Sequence, residues 1–360
     1  MTASTLTPVE TGPPAPGHRP AQRALLWAGG VLGAVLIAWC ALQAADVFAT
    51  TTETVDHDYG AARTVELVAD GPVTVTAGGD DAVLVTERNR TGFGSSTYTA
   101  DLTSQDGEGS LVVESRCNRW WGSSTSCAAG LDVTVPAGTA VLVRSSSGDV
   151  AVSDVAGTVD VSAGDGRVLV AGAGGDVLAS TVSGGVSVDG VDGDLVASTL
   201  DGAVEVARVT GDVVASSGSG QVSVDGGRQV EARTTDGAVT VTATRGPVVA
   251  VSGSGAVEVQ DAGGDVEAKS TDGAVTVQRV AGSAVASSGS GRVEVGAVRD
   301  DVEATSSDGA VTVRGTDEPA VLTIVTSDGR TTVEGATDPK ATRAVVIRSG
   351  SGDVAYLGPR

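Results

Sequence analysis

His18 and His57 are the only imidazoles in this 360-residue chain, and both precede the region where the sequence turns repetitive. General acid–base and nucleophilic catalysis rely on His more than on any other side chain. No His-dependent active site is therefore expected in the repeats. Carboxylates are plentiful, 45 against 23 Lys and Arg, but they recur at repeat-fixed positions and never gather in one distinctive stretch. A carbohydrate-active β-helix, whether hydrolase or lyase, is the enzyme-class alternative. It would need a carboxylate pair beside a cleft wall, and no long insertion builds that wall. No catalytic residue is assigned.

Metal chemistry is weighed in the same way. The Asp-Gly corners and the segment Gly174-Gly175-Asp176 resemble the calcium-binding β-roll, in which Asp must recur every nine residues so that successive turns supply oxygens to one ion. Here Asp recurs at 18 or 36 residues, interleaved with Ser, so solvated corner carboxylates are expected, with no metal and no cofactor. Glu231, Glu267 and Glu303, close to Arg233, Lys269 and Thr305, form a column that reads as a solvated charged face. Cys117 and Cys127, ten residues apart, are expected to pair as a disulfide if this part of the chain is exported. Between them Asn118-Arg119-Trp120-Trp121-Gly122 is the one aromatic cluster outside the apolar segment described next. Trp and Arg are what interface hot spots favour, so Arg119, Trp120 and Trp121 are candidate partner-binding residues. The competing reading is a lid that plugs the open end of the core.

The compartment follows from residues 24–45. This run has Gln43 as its only strongly polar member and is long enough to cross ~30 Å of hydrocarbon as a helix. Trp27 and Trp39 lie near its ends. Arg19 and Arg23 precede it, while Asp46, Glu53, Asp56 and Asp58 follow. The positive-inside rule predicts a cytoplasmic tail, a single-pass anchor in the cell membrane and an extracytoplasmic bulk. A cleaved signal peptide ending at Val47-Phe48-Ala49 would have a shorter apolar run, and Trp39 before Cys40 does not fit a lipobox. Residues 1–23 read as a disordered tail and 46–58 as a polar linker. The net charge of −22 argues against nucleic acid and against anionic lipid surfaces as partners.

The elements are strands. Residues 59–143 alternate apolar and polar positions, as at Val65/Leu67, Val73/Val75, Leu111/Val113 and Val141/Val143, and read as degenerate coils that cap one end. From 144 to 360 the chain repeats every 18 residues or so, with Gly at the fifth position of each block and Val at the seventh and ninth. Two Val separated by one residue face the same side of a strand. Stacked coils bury what one coil cannot. The predicted fold is all-β: a solenoid of ~18-residue coils behind one transmembrane helix, its twelve regular coils spanning about 58 Å. The corner glycines are expected to supply positive φ, and Tyr356-Leu357 to cap the far end. Corners alternate between Gly-Ser-Gly and Asp-Gly forms, which keeps like charges in neighbouring coils apart.

The stretch from Leu131-Asp132-Val133-Thr134-Val135-Pro136-Ala137-Gly138 to Ser145-Ser146-Ser147-Gly148-Asp149-Val150 resembles the putative adhesin family of bacterial envelope β-solenoids, over roughly residues 60–355. That resemblance implies an extracytoplasmic domain, often membrane-anchored, with some relatives tied to envelope-stress systems and no catalytic motif. The expected function is a non-enzymatic, adhesin-like interaction or scaffold module. It would hold an acidic Ser/Thr-rich face toward an envelope protein or polysaccharide. The alternative within the binding class is the outer sensing part of an envelope-stress complex.

Overall fold

Val–x–Val pairs recur so regularly that the described residues fold as two facing sheets of 16 and 15 strands, parallel except near the N-terminal end. The structure is a computed structural model and describes residues 32–41, 43–45, 48–78, 82–92, 94–105, 108–118 and 127–359. The strands at the N-terminal end and in the repeats are β1 (Thr51–Tyr59), β2 (Thr64–Ala69), β3 (Val73–Gly78), β4 (Val83–Thr91), β5 (Ser95–Gln105), β6 (Glu108–Asn118), β7 (Ala128–Pro136), β8 (Ala140–Ser147), β9 (Val150–Ser153), and the alternating series β10 (Val159–Asp165) to β26 (Val302–Ser306) and β27 (Val311–Arg314). β28 (Val321–Thr326), β29 (Thr331–Val333), β30 (Ala344–Ser349) and β31 (Val354–Leu357) finish the chain.

Each coil of the regular part gives one strand to each sheet, in the predicted register. Val239, Val257 and Val275 stack rung on rung, and all three are buried. The facing strands send in Val213/Ala215, Val266/Ala268 and Val302/Ala304, also buried. The 15-stranded sheet makes a stack about 70 Å long at ~4.8 Å per rung.

In most coils one hydroxyl also points inward, where the sequence suggests an outer Ser/Thr face. Ser217 Oγ donates to the Gly202 carbonyl at 2.8 Å and accepts the Gly220 N–H at 2.8 Å. Ser252, Ser270, Ser288 and Ser306 repeat the arrangement with their own glycines. Each buried hydroxyl therefore closes its own corner and ties it to the preceding coil. The corner glycines also have a different purpose from the expected one. Positive φ is confined to Gly148, Gly166, Gly172, Gly190, Gly226 and Gly227 among the described glycines, so most corners do not use it. Instead, a Cβ on Gly220 would lie 1.8 Å from the Gly202 carbonyl oxygen, and one on Gly291 2.0 Å from that of Gly273. Glycine is required because successive corners nest. The left-handed position sits at the opposite bend, where Asp154, Arg208, Ala243, Asp261, Arg279 and Ala297 have φ of 53–60°.

Both ends depart from sequential stacking. The β2–β3 coil lies between the coil of β6–β7 and that of β8–β9, and the β30–β31 coil lies between β26–β27 and β28–β29. The expected C-terminal cap is thereby corrected. Tyr356 is fully buried in a Val slot between Val313 and Val333, and Gly315 and Gly335 leave room for its ring. The outermost coil is β28–β29. At the N-terminal end β4 and β5 run antiparallel to their neighbours, so this region is only partly made of coils. The linker at 46–58 is corrected too: β1 pairs antiparallel with β4 along its whole length, as its β-branched Thr/Val content favours.

Among the described residues no helix is long and apolar enough to cross a membrane. Within the expected span, residues 32–41 and 43–45 are helical. The tail 1–23 and residues 24–31 lie outside the described residues.

Candidate functional site

Several carboxylates on the outer faces are bound to the coil beside them, and others pair within their own strand. The corner Asp201, Asp236 and Asp272 accept hydrogen bonds from Ser219, Ser254 and Ser290 of the following coil at 3.0–3.3 Å. Asp176 and Asp194 accept the N–H groups of Asp194 and Asp212 at 2.9 and 2.8 Å. In the Glu column, Glu231 pairs with Arg233 and Glu267 with Lys269, while Glu303 pairs with Arg348 from the inserted coil. Arg228 and Arg279 grip Asp212 and Asp261 with two hydrogen bonds each, 2.6–2.9 Å. These guanidinium hydrogen bonds hold both carboxyls below the usual carboxylate range.

One rung breaks the pattern. An outward column of the 16-stranded sheet runs Thr242, Gln260, Gln278, Gly296, Arg314. Gly296 removes a side chain from it and opens a notch of about 410 Å³, walled by Gln278, Arg279, Glu294, Thr312 and Arg314 and by Pro359 near the chain end. Arg279 is held by Asp261, and Arg292 by Glu294. Arg314 is left without an ion pair among the described residues. Two rungs separate Gln278 from Arg314, about 9.6 Å, and the rung between them carries no side chain in this column. Guanidinium and amide donors stand beside two carboxylate acceptors, Glu294 and Asp317, which suits binding of a polar group that both donates and accepts hydrogen bonds. The notch has no nucleophile paired with a base.

A second cluster closes the N-terminal end, and it corrects the expectation that His57 belongs to a linker. His57, on β1, stacks on Tyr98 with ring centroids 4.3 Å apart. The Tyr59 and Tyr98 hydroxyls are 2.8 Å apart. Burial first, then the Tyr59 hydrogen bond, raises the Tyr98 phenol far above its ordinary value. The Glu87 carboxylate is buried, takes the Ser115 hydroxyl at 3.4 Å and lies 3.9 Å from His57 Nε2. Ser115 and Glu87 are buried, while His57, Tyr59 and Tyr98 are half-buried and pack over them at this end of the core. The period-two spacing of His57 and Tyr59 was the available signal for it. Cys117 and Cys127 are joined by a disulfide, their Cα atoms 6.0 Å apart, and Asp70 accepts the Cys117 N–H at 2.9 Å. Arg119, Trp120 and Trp121 lie outside the described residues. The notch at Gly296 was missed by sequence reading, although a Gly in an otherwise polar column position marks it.

The profile of the Toastrack DUF4097 family matches residues 67–357. No curated protein matches the chain. Three solved structures align over most of its length. A putative adhesin from Bacteroides fragilis is 11% identical, covering 86% of this chain and 97% of that one, with a TM-score of 0.22. A putative cell adhesion protein from Clostridium sporogenes is 8% identical, covering 86% and 99%, with a TM-score of 0.18. A putative lipid binding protein from Parabacteroides distasonis is 11% identical, covering 85% and 97%, with a TM-score of 0.25. Likenesses this distant say nothing about what this chain binds.

Proposed function

This chain belongs to the Toastrack DUF4097 family, and from that premise we propose that it is a non-enzymatic, adhesin-like interaction module, held outside the cell by an N-terminal membrane anchor. The observation that carries the reading is the bonding of the outer faces. Carboxylates and hydroxyls that could otherwise serve chemistry are engaged rung to rung, so the rod is rigid and presents polar groups at fixed spacing. Such a surface is preorganised for binding. The notch at Gly296 is a concavity on it, and we assign it a polar group of an envelope protein or polysaccharide. The anchor is supported by the helical residues 32–41, whose Leu32, Val35, Leu36, Ile37 and Trp39 are exposed. The Cys117–Cys127 disulfide fits an oxidising compartment.

The test is a photoreactive amino acid at Thr312, on the notch wall, in the full chain in intact cells. The reading expects a discrete adduct with an envelope component, absent when the probe sits at Thr240 on the same sheet. Equal labelling from both positions, or none from Thr312, would sink it.

A further inference from the structure

The two sheets have four edges, and three of them are guarded. Edges of unpaired backbone are templates for pairing with another chain, and proteins blunt them with charge, shortness or cover. β1 carries Glu53, Asp56 and Asp58, β5 carries Asp101, and β29 is three residues long. β28, the outermost strand of the 15-stranded sheet, reads Val-Leu-Thr-Ile-Val-Thr, six residues without charge, Pro or Gly. Val321 N–H turns toward β30, onto the Arg343 carbonyl, so the N–H and C=O of Leu322, Ile324 and Thr326 face outward from the edge. Leu322 and Ile324 pack on the core yet stay half-buried, because no further coil covers them, and Val325 is 53% exposed.

We propose that β28 is a self-association edge: two copies of this chain join tip to tip through antiparallel β28–β28 pairing about a two-fold axis at Ile324. Three observations select a second copy and this register. First, opposed residues of an antiparallel pair share a face, and this axis sets Leu322 opposite Thr326 and Ile324 opposite itself, all inward. It sets Thr323 opposite Val325 outside, so every β-branched residue meets a compatible partner. Second, residues 336–338 already bond to Ala320, which blocks the beginning of the edge. An axis at Ile324 confines the pairing to residues 322–326 and clears that loop, whereas a register shifted by one residue sets inward side chains opposite outward ones, and an axis at Thr323 sets Thr326 opposite Ala320, where the loop sits. Third, the same axis brings exposed Glu318 of one copy toward exposed Arg330 of the other, and neither has an ion pair among the described residues. The charge of −22 repels copies elsewhere, so an uncharged tip is where they can meet. This pairing places the two N-terminal ends at opposite ends of a rod about 140 Å long. With the anchor proposed above, the pair would bridge two facing membranes.

The full chain in detergent carries the test, in a Cys40→Ser background because Cys40 is a free, exposed thiol. Sedimentation should show a monomer–dimer equilibrium that Thr323→Lys weakens at least tenfold, with an unchanged melting temperature because Thr323 is exposed. Thr323→Cys and Val325→Cys proteins, mixed and oxidised, should give an intermolecular disulfide that neither gives alone. A monomeric wild type at tens of micromolar, a dimer indifferent to Thr323→Lys, or no crosslink in the mixture would overturn the proposal. None of these outcomes bears on the Thr312 adduct.

Discussion

Ser288→Ala removes one hydroxyl from the buried column and adds nothing. Ser288 is 6% exposed, its Oγ donates to the Gly273 carbonyl at 2.8 Å and accepts the Gly291 N–H at 2.8 Å. Alanine fits the space, since Ala163 occupies the same column and is buried. The cost is thus the two backbone groups left without partners inside the rod. A buried unsatisfied donor or acceptor costs ~1–3 kcal/mol, and partial rearrangement of the corner should keep the total to about 2–3 kcal/mol. Ser287, its neighbour, points outward and is half-exposed, so Ser287→Ala should change stability by less than about 0.5 kcal/mol. Urea melts measure both. Because repeat arrays open locally, hydrogen exchange of the Gly291 amide gives a second readout and should accelerate only in Ser288→Ala. Equal melts with equal exchange would mean that the hydroxyl column does not tie coil to coil.

Val257→Asp should cost several kcal/mol, because its rung neighbours Val239 and Val275 offer a buried carboxylate no partner, whereas Glu258→Lys should cost within about half a kcal/mol; urea melts that reverse the order would refute the register. At the left-handed bend, Ala297→Gly should stabilise by about 0.5–1 kcal/mol, the relief of an αL residue less the chain entropy of Gly. Gly291→Ala should instead be strongly destabilising, as its Cβ would overlap the Gly273 carbonyl; thermal melts compare them. Asp212 has a folded pKa below its unfolded value, so its ion pair with Arg228 contributes stability above the ordinary carboxylate range, lost as pH falls through the lowered value. NMR titration should find Asp212 titrating below the ordinary Asp range, and Arg228→Ala should move it back up.

Much of this was legible in the amino acids because a solenoid repeats its physics every 18 residues. The Val257/Val259 pairs, the Ala268 strand and the Asp–Ser corner alternation each follow from side-chain spacing alone. The inward hydroxyls were not legible: Ser287 and Ser288 are adjacent, and only the strand register decides which one enters the core. The corner glycines were read as φ-positive because Gly reports both needs with one letter, and close approach of Gly291 to Gly273 is a property of two coils. The end insertions lie further still from local pattern, since the residues of β30–β31 look like any other coil and only the stacking order places them inside β28–β29. His57 and Glu87 are 30 residues apart and meet only because β1 returns along β4. The notch needs Gly296 and Arg314 in adjacent rungs, which the repeat period gives once the column is written out.

The functional account rests on the solenoid facing the outside of the cell. Thr276→Cys, on an outer face and half-exposed, introduces a thiol in the full chain with Cys40 replaced by Ser. A membrane-impermeant maleimide applied to intact spheroplasts should label it as completely as after lysis. Labelling that appears only once the membrane is broken would place the rod in the cytoplasm and contradict the account.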